Sequence, residues 1–504
     1  MDRNEQLKKI VDTTSWDIVV IGGGATGLGA AVDAANRGYK VLCLEKYDFS
    51  KGTSSRSTKL IHGGVRYLQQ GNISMVKHAL RERWFMLQNA SLVTRKLSFV
   101  LPVYSWWSFF YYSLGLMLYD LLSGRLSIGK TRIMNAKSVI SKVPDINTKS
   151  LKGGIRYFDG QFDDSEICIA LARTAIQEGA TVINHAAAES FTYNDGKISG
   201  LVIKDYLSGK EFSVNTKVVI NATGVFADTM IKKDNPSHHA IISPSRGIHI
   251  VIDKKFYTGP HAMLIPKTTD GRVLYAVPWH DKVIIGTTDN KVENIDIEPI
   301  ATHDEVNFVL ENFNQYMSQQ LTIQDIKSVF AGLRPLVKIK NIKSTADLVR
   351  DHLIYESPSG LVSITGGKWT TYRKMAKDVI NQAIKTGGLN YVPCNTDSLH
   401  LVTRKDTLVE ENTINSQARL HPSFAMSKED VLYAIESEMA CTLEDVLARR
   451  IRILFLDARA ALEVAPVVCK IMQETLGKDD VWFEDQIISF RKVAENYLPE
   501  NIVK

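Results

Sequence analysis

The clearest pattern of apolar and polar positions lies near the start of the chain. WDIVVIG (residues 16–22) is a short unbroken apolar run, as a parallel strand buried on both faces requires. GGGATGLGAAVDAANRG follows, with helical spacing from Ala25 to Arg37 and a stop at Gly38. YKVLCLEK then gives a second buried strand ending at Glu45. The order predicts one βαβ unit. Residues 50–70 are rich in Ser, Thr and Gly, residues 72–96 carry a helical pattern, and a helix over 163–179 leads into a strand over 181–185. Between 187 and 222 the rhythm changes. Asn194-Asp195-Gly196 and Leu207-Ser208-Gly209-Lys210 are turn signals flanking short strands, which predicts an antiparallel meander. VVINATG is another buried strand. Residues 240–330 read as strands followed by a helix, and LVSITG (361–366) runs as a strand into a long helix. Beyond about residue 395 the texture is helical, with capping-box-like starts at Ser427 to Asp430 and Thr442 to Asp445.

One stretch stands apart. LPVYSWWSFFYYSLGLMLYDLL (101–122) is apolar and aromatic but broken by Pro102, Gly115, Asp120 and several serines. A spanning helix needs roughly 20 apolar residues in a row, so two readings are open. It is either a buried helical hairpin or a segment lying at a membrane surface, where Trp and Tyr accumulate.

Composition sets the bounds. With 504 residues, 44% hydrophobic and 23% charged, the chain is an ordinary globular protein with room for about two to four domains. A net charge of +6 permits contact with an anionic membrane or substrate and demands neither, and nothing points to nucleic acid. The five cysteines are scattered and form no CxxC, which argues against a disulfide framework or zinc ribbon and for a reducing compartment. The N-terminus has neither a secretory h-region nor an Arg-rich, acid-poor presequence pattern, so a cytoplasmic location is expected. No metal site is expected.

The chemistry starts at Gly22-x-Gly24-x-x-Gly27, placed between the first strand and its helix. Glycines there allow a tight turn, close approach of a pyrophosphate, and close helix–strand packing, while the helix N-terminus offers N–H groups to the anion. Glu45, at the end of the second strand, suits a ribose diol. The motif at the N-terminus, the meander before Asn221-Ala222-Thr223-Gly224, and Gly366-Gly367 between a strand and a long helix favour FAD over a nicotinamide cofactor. The Ala222-Thr223-Gly224 stretch resembles the second FAD contact of glutathione-reductase-like flavoproteins.

A set of motifs then occurs in order: GTSSRSTKLIHGGVRYL (52–68), NATGVFAD (221–228), RGIHIV (246–251), IIGTTD (284–289), GLRPL (332–336), LVRDHL (348–353) and GGKWTTYRK (366–374). Together they resemble the FAD-dependent, quinone-linked glycerol-3-phosphate dehydrogenases over residues 16–385, and EDVLARRIRILFLDAR (444–459) resembles that family's C-terminal domain. The resemblance implies an α/β fold: a glutathione-reductase-like FAD-binding Rossmann domain (1–80, 150–240, 340–390), an antiparallel-sheet substrate domain (81–149, 241–339), and an all-helical C-terminal domain (395–504). It implies oxidation of sn-glycerol 3-phosphate to dihydroxyacetone phosphate by hydride transfer to FAD. Electrons would pass to a membrane quinone, at an enzyme attached peripherally to the inner face of the cell membrane. It allows a homodimer. The absence of a calcium-loop pattern and of a presequence points to the aerobic bacterial type.

A dianionic phosphate needs cations, and Arg66, Arg334, Arg350 and Lys368 all fall inside these motifs. By the resemblance, Arg66 and Tyr67 belong to the substrate pocket. His249 is the expected proton acceptor, with an ordinary pKa of ~6.5, and His62, beside Gly63 and Gly64 near the flavin, is its rival. Arg334 would orient and stabilise the C2 oxygen. Lys368 lies at a helix start with Thr370 and Thr371, where it can meet phosphate or the reduced flavin. Thr371 is placed with the substrate, while Thr370, Gly366 and Gly367 are placed with FAD. Thr53 is placed with FAD, and Ser54, Ser55 and Ser57 either line the FAD phosphates or only form a loop. Other readings are an oxygen-using glycerol-3-phosphate oxidase, an amine or 2-hydroxyacid oxidoreductase of the same fold, and a nicotinamide dehydrogenase. A flavin-binding assembly protein is the reading without catalysis.

Overall fold

Parallel pairing needs crossovers, and the chain supplies them with helices. In the computed structural model, which describes residues 1–64, 72–338, 352–407 and 419–502, Ser15–Ile21 is central in the first sheet. It pairs in parallel with Val41–Leu44 on one side and Glu211–Asn221 on the other. Thr181–Ile183 extends the first side, and Leu361–Gly366 the second, with His352–Glu356 antiparallel at the edge. The predicted meander is present: Ala186–Asn194, Lys197–Asp205 and Glu211–Asn221 pair antiparallel. Asp195 and Gly196 both take positive φ, as a two-residue hairpin turn requires. Helix Ala25–Asn36 packs against Asp164–Gln177 and Tyr372–Thr386, and its small residues permit close approach. A Cβ on Gly29 would lie 2.8 Å from the Tyr372 ring.

The second sheet has ten strands, most of them antiparallel. Ile242–Asp253 lies between Lys282–Gly286 and the long strand Ile326–Val337. Two strands depart from the sequence segmentation. Leu60–Ile61 and Gly153–Phe162 were assigned to the dinucleotide domain, yet both lie in this sheet, Gly153–Phe162 pairing along its length with Thr94–Val103. GGIRYFDGQF carries no apolar run that marks a strand, and its partners are non-local.

The aromatic stretch divides. Its first residues complete Thr94–Val103, and Trp106–Ser123 is a helix. It is not a buried hairpin: Ser113, Leu116, Tyr119 and Ser123 face inward, while Trp106, Trp107, Phe110, Tyr111, Leu114, Met117, Leu118 and Leu121 are exposed. Among the described residues no helix is long and apolar enough to cross a membrane.

The C-terminal helices, led by Lys428–Glu438 with its Ser427–Asp430 capping box, pack on the second sheet. Phe455 is 1% exposed and meets Phe330 of that sheet at 5.0 Å and Tyr497 at 5.3 Å between ring centroids. Phe455→Ala should lower the unfolding free energy by about 3–5 kcal/mol in a urea titration. A loss below about 1 kcal/mol would show that this contact does not hold the helical unit to the sheet.

A candidate active site at the junction of two cavities

The first cavity, about 630 Å³, opens at the end of the first strand. Gly22 turns there at φ +116°, and a Cβ on it would sit 2.6 Å from the Ala222 carbonyl. A Cβ on Gly27 would lie 1.9 Å from the Gly22 carbonyl, so Gly27 serves helix–strand packing and lies off the cavity wall. Gly24 caps the helix, and Ala25 N–H donates to Ser54 Oγ at 3.0 Å. Glu45 accepts from Gly23 N–H at 2.6 Å and Tyr47 N–H at 2.8 Å. Burial pushes its carboxyl above the ordinary range, against the pull of those two donors. Thr53, Ser54, Ala222, Thr223, Gly224, Gly366 and Gly367 complete the predicted residues on this wall.

The second cavity, about 310 Å³, lies against the second sheet. Thr53, Pro335, Gly367, Lys368 and Trp369 line both cavities, which therefore meet. His249, Arg334, His62, Gly64, Ser57 and Thr370 face the second. Ser57 lines only this one, and its hydroxyl and N–H both donate to Asp164, so it is not on the dinucleotide wall. His62, Gly64 and Thr370, expected at the cofactor, likewise line the second cavity alone, with His62 N–H donating to Thr370 Oγ1 at 3.3 Å. Gly63 and Thr371 line neither: Gly63 N–H donates to Tyr119 Oη, and the Thr371 hydroxyl donates to the Lys368 carbonyl. Arg66, Tyr67 and Arg350 lie outside the described residues.

Arg334 reaches the cavity from Ile326–Val337, donating to Thr287 Oγ1 at 3.1 Å and the Thr288 carbonyl at 3.0 Å. A Cβ on Gly247 would meet its guanidinium at 2.3 Å. His249 is buried, stacked 4.8 Å from Phe330, with Nε2 2.9 Å from Thr58 Oγ1; Nδ1 has no partner among the described residues. Burial, then the positive charges of Lys59 and Arg334, hold its pKa well below the ordinary value. The imidazole is therefore neutral near pH 7, and a neutral imidazole can accept a proton.

Residues 48–59 form the partition between the cavities, and buried ion pairs from the C-terminal helices brace it. Arg449 and Arg450 both bind Asp48, at 2.5 and 2.7 Å. Glu444 holds Lys51 at 2.6 Å, and Arg452 reaches Asp164 at 2.9 Å, beside the Lys59–Asp164 pair at 2.7 Å. Sequence reading missed Thr58, Asp159 and Arg272, which also face the second cavity. The motifs containing Gly247 and Gly286, each with no room for a Cβ beside Arg334 or His249, were the available signal.

Residues 17–373 match the family model "FAD dependent oxidoreductase", and residues 397–481 match "C-terminal domain of alpha-glycerophosphate oxidase". The human mitochondrial glycerol-3-phosphate dehydrogenase is 37% identical over 543 residues, covering 97% of this chain and 74% of that protein. The chain belongs to the FAD-dependent glycerol-3-phosphate dehydrogenase family. The Arabidopsis thaliana mitochondrial member is 36% identical, over 93% of this chain and 85% of its own. The Bacillus halodurans glycerol-3-phosphate dehydrogenase, solved with FAD, superposes with a TM-score of 0.77 at 26% identity, over 98% of this chain and 97% of that one. The L-α-glycerophosphate oxidase of Mycoplasma pneumoniae (TM-score 0.56, 15% identity, 77% of this chain and 99% of that one) shares the fold.

FAD is the cofactor, and the first cavity fits it. A helix N-terminus faces a turn where Cβ atoms are excluded, and a half-buried carboxylate stands where a ribose would come. Glu45→Ala should raise the FAD dissociation constant about ten- to a hundredfold, the worth of hydrogen bonds to a charged acceptor. Titration of the apoprotein, followed by flavin fluorescence, measures it. An unchanged constant would remove Glu45 from the cofactor site.

Proposed function

We propose that the chain oxidises sn-glycerol 3-phosphate to dihydroxyacetone phosphate and delivers the electrons to a membrane quinone. The observation that carries this reading is the second cavity. It joins the dinucleotide cavity at Lys368 and gathers Arg334, Arg272 and a neutral His249 in one small polar space. FAD, when bound, takes up the hydrogen and electron pair of the C2–H bond. Every other step falls to side chains. Lys368 and Arg272 offer charge to the phosphate, and Arg66, Tyr67 and Arg350 are assigned with them from their motifs. Arg334, held by Thr287 and Thr288, is pre-oriented to stabilise charge on the C2 oxygen. His249 takes the C2 hydroxyl proton, with Thr58 fixing its ring. His62 lines the same wall and is the second candidate.

The quinone acceptor and a peripheral place on the inner face of the cell membrane draw support from helix Trp106–Ser123. Its exposed face runs from Trp106 and Trp107, 66% and 77% exposed, to Leu121, 76% exposed, and Arg125, Lys130 and Arg132 follow on the surface. Aromatic and aliphatic side chains beside cations suit the boundary of an anionic bilayer.

Anaerobic addition of glycerol 3-phosphate should bleach the flavin, and a quinone analogue should restore its colour. No bleaching overturns the reading. Arg334→Ala should cost about 10²–10³ in kcat/KM. Because His249 acts in its neutral form with a lowered pKa, kcat at saturating substrate should hold as pH falls to about 6.5 and decline only well below it. A limb at or above that value would put the base elsewhere.

Trp107→Glu with Leu114→Glu should weaken co-sedimentation with phosphatidylglycerol vesicles about tenfold or more. Quinone reduction should fall while a soluble dye is still reduced. Equal binding of both proteins would detach this helix from the membrane role.

A further inference from the structure

Asp159 is a buried carboxylate on the wall of the second cavity, whose other carboxylate, Asp289, is already tied to Arg334 and Ser245, and sequence motifs did not single it out. It sits on Gly153–Phe162, opposite Leu97. Three donors converge on one of its oxygens: Arg83 Nη1 at 2.7 Å, Tyr119 Oη at 2.9 Å and Gly63 N–H at 3.3 Å, all bonding to Oδ1. Its Oδ2 receives no donor from the described residues, although Asp159 is only 3% exposed. Oδ2 itself is open to the cavity, so a ligand that takes this space has to replace the water on it. The arrangement fixes the carboxylate from behind and leaves one oxygen facing the space where substrate binds.

We infer that Asp159 is a specificity-determining residue, whose Oδ2 accepts a hydrogen bond from the primary C1 hydroxyl of the substrate. The inference rests on the glycerol 3-phosphate reading of this cavity. In that reading the cations take the phosphate, and Arg334 and His249 take the C2 oxygen and its proton. The C1 hydroxyl is the remaining donor, and an ionised carboxylate can only accept. An O–H to carboxylate bond is charge-assisted and strong. The same charge repels a phosphate placed at this end, so it also sets which way round the molecule lies. Arg83 balances the carboxylate at close range, which lets it persist beside a substrate dianion.

The test compares glycerol 3-phosphate with its 1-deoxy analogue, 2-hydroxypropyl phosphate of the same configuration at C2. A site built around a hydroxyl rejects the molecule lacking it because its own buried group is then unpaired. The wild-type holoenzyme should favour glycerol 3-phosphate by about a hundredfold or more in kcat/KM. Asp159→Asn should compress that ratio to about tenfold or less, mainly by losing activity on glycerol 3-phosphate. A merely structural role would lower both rates together and leave the ratio unchanged, which overturns the inference. A wild-type ratio near one overturns it too, whether or not the variant folds. Failure of glycerol 3-phosphate to bleach the wild-type flavin at all would instead sink the underlying reading, so the two failures are distinguishable.

Discussion

Buried opposite charges hold residues 48–59 in place, and both cavities depend on that placement. This segment has to present Thr53 and Ser54 to a dinucleotide on one side and Ser57 and Thr58 to a small polar space on the other. It has little apolar content with which to anchor itself. Its fixation comes instead from Asp48, Lys51 and Lys59, each nine-tenths or more buried and each paired. Taking such groups out of water is costly, and leaving one unpaired typically costs about 3–5 kcal/mol. The pairs therefore specify one arrangement strongly, even where their net contribution to stability is small. Arg449 and Arg450 supply the cations for Asp48, Glu444 the anion for Lys51, and Arg452, in a left-handed backbone conformation at φ +69°, joins Lys59 on Asp164. A C-terminal unit with no side chain on the wall of either cavity thus sets the shape of both.

The same electrostatic logic extends into the second cavity. Cations collect there, and three of them are tied by neighbours: Arg334 by Thr287, Thr288 and Asp289, Arg272 by the Asp289 carbonyl and Asp270, and Arg56 by Glu298. Rigid donors need no reorganisation when charge develops, which is the source of their leverage on a reaction. His249 is kept neutral by burial first and then by the positive charges around it, so one feature that attracts an anion also helps preserve a proton acceptor.

How much of this was legible follows from sequence distance. The first βαβ unit was readable because its signals are local: an apolar run, three glycines, a stop at Gly38 and a terminal acid. The Asp195-Gly196 turn and the Ser427 cap were readable for the same reason. Gly153–Phe162 was not, because its strand character comes from partners rather than from its own composition. Ser57 and Gly63 were placed with the cofactor by proximity in sequence, whereas hydrogen bonds to Asp164 and Tyr119 decide where they point. Asp159 was invisible because its partner Arg83 lies 76 residues away. The motif residues Arg334, Lys368 and His249 converge on one space because Ile326–Val337 and Ile242–Asp253, which carry two of them, and Leu361–Gly366, which precedes the third, come from different parts of the chain.

The shared partition has one further consequence. Thr53, Pro335, Gly367, Lys368 and Trp369 each have one surface toward the nucleotide compartment and another toward the polar one. Any change of side chain there alters two binding sites at once. Drift toward a new alcohol meets less resistance around Arg272, Tyr275 and Asp159, which line the polar compartment alone.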